Sequence, residues 1–158
     1  MANNCGYEIR VKGKKENLEK FYHYMDYENQ NEEEKHFARI FSHEREYYTT
    51  TDGNEGMYIY GDCAWSLHTC LMKGQGSYFG SEDENPQLVN AVDVSKELDL
   101  EIEMWSEEPG VGFCEHKYIK KGEVIFDECM DLREEQNEET DEWEYTVKPD
   151  NFWEFDYL

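Results

Sequence analysis

Positive charge is what this sequence lacks most: 15 Lys and Arg stand against 38 Asp and Glu, for a formal net charge of −23 in 158 residues. That balance argues against direct binding to DNA, RNA or an anionic membrane, because a strongly negative surface repels phosphate over the roughly 8 Å screening length of physiological salt. Long apolar runs are missing too. No stretch approaches the ~18 residues that would suggest a transmembrane helix. The opening MANNCGYEIRVKGKK has no apolar segment of the secretory kind, so a cytoplasmic protein is expected, in a bacterial host cell. Cysteine is sparse. Cys5, Cys63, Cys70, Cys114 and Cys129 are too few, and odd in number, for a disulfide scaffold.

The motifs of familiar chemistry are equally scarce. Cys63, His68, Cys70, Cys114 and His116 are metal-ligating types, and Cys114 and His116 share one face of an expected strand. None of them has the Cys-x₂₋₄-Cys or His-x₃₋₅-His spacing of a zinc site. No metal or cofactor is expected, and packed thiols are the simpler account. Cys63 precedes an expected helix, where a thiolate would be favoured, but Asp62 beside it opposes that. No Gly-x-Ser-x-Gly is present. Gly74, Gly76 and Gly80 lack the lysine of a phosphate loop and follow a helix instead of a strand. Glu107, Glu108, Glu115 and His116 offer an acid/base cluster, yet among 38 carboxylates chance pairs are certain. The chain is therefore expected not to be an enzyme.

What is present is aromatic mass, 15% of the residues, including 12 Tyr, 8 Phe and 4 Trp. Acidic disordered chains are poor in aromatics, so this one is expected to fold around a core. Cys5–Val11 alternates as a strand. Leu18, Phe21, Tyr22 and Met25 mark one stripe of a helix over residues 15–27. A short strand is expected at 37–41, a turn at 49–56, a strand at 57–62 and a short helix at 64–72. Pro86, after Asn85 as N-cap, opens a helix predicted to run to Asp99. Leu100, Ile102 and Met104 alternate with Glu101, Glu103 and Trp105, a strand with one buried side. Residues 110–119 and 123–130 flank Lys120-Lys121-Gly122 as a β-hairpin. Glu142–Val147 is a last strand, and NFWEFDYL an aromatic tail. The expected fold is α+β: a ferredoxin-like βαββαβ core with an antiparallel sheet, extended by a C-terminal β-hairpin region. Residues 1–130 form that domain, and an acidic aromatic extension, 131–158, packs on it.

Three blocks resemble the YubB-like, ferredoxin-like proteins of phages and plasmids: the first strand with the following GKKENLEKF, the turn YGDCAWS at 60–66, and IEMWSEEPGVGFCEHKYIKKG at 102–122. The resemblance implies a fold and a mobile-element setting, and it brings no catalytic residues. The acidity exceeds the family pattern, and it is uneven. Residues 1–22 carry net +2, with five basic and three acidic side chains. Residues 123–158 carry net −12, with fourteen acidic and two basic. Carboxylates in rows can stand where phosphates would stand, and Trp and Tyr can anchor the contact. The expected function is a phage or mobile-element inhibitor, of the anti-CRISPR type, that mimics nucleic acid and blocks a basic nucleic-acid-binding host defence protein such as a CRISPR nuclease. The expected contacts are Tyr78, Glu82, Asp83, Glu84, Trp105, Glu107, Glu108, Glu134, Glu135, Glu138, Glu139, Asp141, Glu142 and Trp143. The alternatives are a housekeeping module acting through self-association or a small ligand, and a hydrolase signalled by a Cys63–His68 or Glu107–His116 pair.

Overall fold

The computed structural model describes residues 3–26, 34–72 and 87–147. Strand β1 (Asn4–Lys12) leads to helix α1 (Lys15–Met25), then β2 (Ile40–Thr49) and β3 (Glu55–Ala64), two short helices α2 (Leu67–Leu71) and α3 (Ala91–Glu97), and strands β4 (Glu101–Glu108), β5 (Phe113–Lys120) and β6 (Glu123–Asp131). A further pair follows, β7 (Arg133–Gln136) and β8 (Trp143–Val147). The fold is α+β. Strands β1 to β6 form one sheet in the order β2-β3-β1-β4-β5-β6, and β7 pairs with β8 in a second sheet. Every neighbouring pair is antiparallel.

Alternation decides which face is core. Cys5, Ile9 and Val11 of β1 sit beside Met57 and Ile59 of β3 and Ile102 and Met104 of β4, all fully buried. Leu18, Phe21 and Met25 of α1, Leu67 and Leu71 of α2, and Val94 of α3 join the same cluster. Each such side chain contributes about 1.5–3 kcal/mol by leaving water. Gly61 is required where β2 bulges, since a Cβ there would lie 2.0 Å from the Ser42 carbonyl oxygen. The Tyr7 hydroxyl donates to that same oxygen at 2.7 Å.

Three expectations are corrected. The second strand is not a short piece at 37–41 but ten residues from Ile40. It is an edge strand, so SHEREYYT stays polar on both sides and shows no apolar alternation. The third helix starts at Ala91, with Asn90 instead of Asn85 as the cap, its side-chain oxygen accepting from the Asp93 N–H at 2.9 Å. Strand β4 has both sides buried. Glu103 and Trp105 are covered as fully as Ile102 and Met104. They face away from the helices, where the His116 ring closes on both: His116 Nε2 lies 2.6 Å from Glu103 Oε2, and Trp105 stacks on the ring at 3.8 Å. Burial of the Glu103 carboxylate is tolerable there because it is paired with His116 Nε2.

Candidate protein-binding surface

The expected contact residues divide into four groups. Tyr78, Glu82, Asp83 and Glu84 lie outside the described residues. Trp105 and Glu108 are buried, 2% and 4% exposed, and are not available as surface contacts. Trp105 is held in the stack with His116. Glu108 turns inward to close the β4–β5 turn, accepting from the backbone N–H of Gly110 at 3.0 Å and of Val111 at 2.6 Å. Glu107 is half-buried on the sheet face that the helices leave uncovered. The remaining seven come together on the β7–β8 hairpin.

That hairpin projects a dense array of charge. Gln136 pairs with Trp143, Glu135 with Glu144, and Glu134 with Tyr145. Asn137 organises the tip. Its backbone N–H donates to the Glu142 carbonyl at 2.8 Å, its side-chain oxygen accepts from the Glu139 N–H at 2.9 Å, and its amide donates to Glu144 at 3.2 Å. Asp141 adopts a positive φ of 58°, a conformation Asp tolerates better than most residues. Between 134 and 144 there are seven acidic residues (Glu134, Glu135, Glu138, Glu139, Asp141, Glu142, Glu144) and no basic one. Trp143 is 66% exposed among them. Glu135 directly opposite Glu144 is unfavourable, since like charges across a strand pair repel. The hairpin thus carries a strongly negative field and an uncovered aromatic ring. Tyr145 donates to Glu107 Oε2 at 3.2 Å and ties the hairpin to the uncovered sheet face. Partial burial and the adjacent Glu107 carboxylate push the Tyr145 phenol up to about 12.

Residues that sequence reasoning did not single out extend the surface. Register places Glu8 and Arg10 of β1, Tyr58, Tyr60 and Asp62 of β3, and Glu44 and Glu46 of β2 on that uncovered face. Tyr58 donates to Glu8, and Tyr60 to Glu44 at 2.9 Å. The alternation that buries Ile9 and Ile59 is the signal for them, but only the strand order makes them neighbours.

The residues of the metal and catalytic alternatives are dispersed. Cys63 lies with Cys5 and Cys70 in the core, and their contact together with burial raises its thiol well above the ordinary range, so it does not ionise as a nucleophile near neutrality. His68 instead approaches Asp127 at 3.8 Å, and His116 pairs with Glu103, so neither the Cys63–His68 nor the Glu107–His116 pair forms. Cys114 is buried on β5, on the same side as His116. Among the described residues no group of three or more His, Cys, Asp or Glu side chains is arranged to hold a metal ion. Glu115 is buried and structural. It accepts from the Leu67 and His68 N–H groups at 2.8 and 3.1 Å and from the Ser106 hydroxyl at 2.6 Å.

Compared with family models, curated proteins and solved structures, the chain matches none. Among the described residues no helix is long and apolar enough to cross a membrane.

Proposed function

We propose that this protein is an acidic binding protein that seats itself in the nucleic-acid groove of a basic protein and blocks it. The observation that carries the reading is the acidic run of the β7–β8 hairpin: seven carboxylates between residues 134 and 144 with no basic side chain among them, around a tryptophan that is 66% exposed. Carboxylates so placed offer a basic groove the charge it evolved to bind, speed the encounter, and make it salt-sensitive. The ring supplies the kind of anchor on which protein interfaces concentrate their energy. A net charge of −23 exceeds the magnitude of roughly 2–8 that keeps a small domain soluble, so solubility alone does not account for it.

The order β2-β3-β1-β4 supports a ferredoxin-like core, because β1 and β2 run parallel with β3 between them, joined through α1 as in a split βαβ unit. Strands β5 and β6 then extend the core beyond β4. That reading goes with the YubB-like resemblance, a phage or mobile-element origin and a cytoplasmic setting. A bacterial defence nuclease of the CRISPR type is the favoured target class, since it holds its nucleic acid in a positively charged channel.

The test titrates the protein into a guide-loaded CRISPR nuclease and follows DNA cleavage at about 50 and about 200 mM salt, a range over which phosphate-like contacts weaken markedly. Inhibition at low salt that fades at high salt, and is lost when Glu134, Glu135, Glu138 and Glu139 become Gln, supports the reading. Full cleavage at both salts, with no salt-sensitive capture of a basic protein from bacterial lysate, overturns it.

A further inference from the structure

On the uncovered sheet face, cross-strand register aligns three short rows. Asp62, Gly6 and Glu107 stand side by side on β3, β1 and β4; the next row is Tyr60, Glu8 and Trp105; the third is Tyr58, Arg10 and Glu103. Neighbouring strands are about 4.8 Å apart, so the backbones carrying Asp62 and Glu107 are separated by about 10 Å. The residue between them is glycine. A Cβ built at Gly6 would come into ordinary contact with Asp62 Oδ1 at 3.7 Å and the Glu107 carbonyl oxygen at 3.8 Å, so the glycine leaves a shallow gap between the two acidic residues. The result is a cavity of about 520 Å³ whose walls include Glu8, Tyr60, Asp62, Trp105 and Glu107. Asp62 and Glu107 stand on either side of it, and Tyr60, Glu8 and Trp105 make up the next row along.

The same face shows how it receives a cation. Arg10 lies four residues along β1 from Gly6, with its guanidinium 5.7 Å from the centre of the Tyr58 ring. Tyr58 and Tyr60 are adjacent, with ring centres 5.4 Å apart. One guanidinium therefore already lies over Tyr58, the neighbour of Tyr60 on the same face. Across the uncovered face Glu8, Glu44, Glu46, Asp62 and Glu107 outnumber Arg10 and Lys12, and the balance stays negative.

We propose that this slot receives an arginine side chain of the basic partner, its guanidinium between Asp62 and Glu107 and its flat side against Tyr60. Arginine fits better than lysine because its planar fork can bond a carboxylate on each side, and because a weakly hydrated guanidinium stacks on an aromatic ring. An ammonium is a compact, strongly hydrated point charge that gains little from such walls. The Tyr145–Glu107 hydrogen bond makes the slot continuous with the acidic hairpin, so one partner can engage both. The inference rests on the acidic-binder reading above. It adds a chemical preference, for a partner that presents arginine.

The test compares a nine-residue arginine peptide with a nine-residue lysine peptide by titration calorimetry. Three variants are used: Gly6→Val, which fills the slot with no change of charge; Asp62→Asn, a substitution at an exposed position that keeps the shape; and Glu138→Gln/Glu139→Gln/Glu142→Gln on the hairpin. The wild type is expected to bind the arginine peptide about tenfold more tightly, equivalent to ~1.4 kcal/mol. Gly6→Val and Asp62→Asn abolish the preference, while the hairpin variant weakens both peptides alike and keeps it. Equal binding of the two peptides by the wild type, or a preference that survives both slot variants, overturns the slot and leaves the acidic-binder reading standing. Binding of neither peptide overturns both.

Discussion

Replacing Lys117 by methionine removes one charge from a largely buried ionic cluster while keeping the length of the stem. The Lys117 side chain is 2% exposed, its ammonium 3.5 Å from Glu115 and hydrogen-bonded to Asp127. Breaking a buried pair by removing one partner costs about 3–5 kcal/mol, because the other charge is left uncompensated. Two features of the site place the expected loss at the low end, near 3 kcal/mol. Asp127 is 31% exposed and recovers water. Glu115 is 3% exposed but keeps three hydrogen bonds, from Leu67, His68 and Ser106.

Urea unfolding measures the effect. With a slope of about 2 kcal/mol per molar, the midpoint should fall by about 1.5 M without a change in slope. If the stranded Glu115 carboxylate is the cause, adding Glu115→Gln to Lys117→Met recovers part of the loss, a non-additivity of about 1 kcal/mol or more. A single-variant shift below about 0.5 M, or strict additivity in the double variant, refutes the reasoning.

Other predictions concern separate parts of the molecule. The folded state holds the Tyr145 proton more tightly than an unfolded chain, whose phenol titrates near 10, so this contribution to stability is complete below pH 10 and is lost as pH rises to about 12. The 295 nm absorbance difference between wild type and Tyr145→Phe should have a midpoint near 12, and a midpoint near 10 removes the Tyr145–Glu107 contact. Of the five thiols only Cys129 is exposed, so one should react with a thiol reagent in the folded protein and five in urea; four or five reacting under native conditions contradicts the packing. Asn90→Ala should cost about 1 kcal/mol in chemical denaturation by uncapping α3, and a neutral result places the helix start elsewhere. Glu135→Lys should stabilise the hairpin by about 0.5 kcal/mol, by turning the repulsion from Glu144 into attraction, while weakening salt-sensitive binding to an arginine peptide; gain or loss of both together refutes the division of roles.

The parts of the fold legible in the sequence are those where one side of an element is apolar. Tyr7, Ile9 and Val11 announce β1, Leu18, Phe21 and Met25 announce α1, and Lys121-Gly122, both with positive φ, mark the β5–β6 turn. Elements whose burial is not apolar carry no such mark. Edge strand β2 pairs on one side only and keeps His43, Glu44, Arg45 and Glu46, so it has no period to read. Glu103, Glu115, His116 and Lys117 are buried with partners ten to forty-eight residues away, which spacing alone does not reveal. The acidic run of the hairpin was legible because its residues are contiguous in the chain, but its pairing was not, since Arg133–Gln136 has no apolar alternation to mark β7. The slot was not, because Asp62, Gly6 and Glu107 become neighbours only when β1 lies between β3 and β4.

This distribution separates two demands that conflict in an acidic domain. Carboxylates destabilise a fold when crowded, and they attract a basic partner only when crowded. The chain meets the first demand by pairing those it buries: Glu115 with helix N–H groups and Lys117, and Glu103 with His116. It meets the second by placing seven acids on a two-stranded hairpin outside the six-stranded sheet, where their repulsion loads β7 and β8 and not the core. If a cationic partner relieves that load, an arginine peptide should raise the hydrogen-exchange protection of the β7–β8 amides more than that of β1 and β3, whose hydrogen bonds are already backed by the core. Equal protection across both sheets would mean that the hairpin is no looser than the sheet, and that crowding its charges costs the fold nothing.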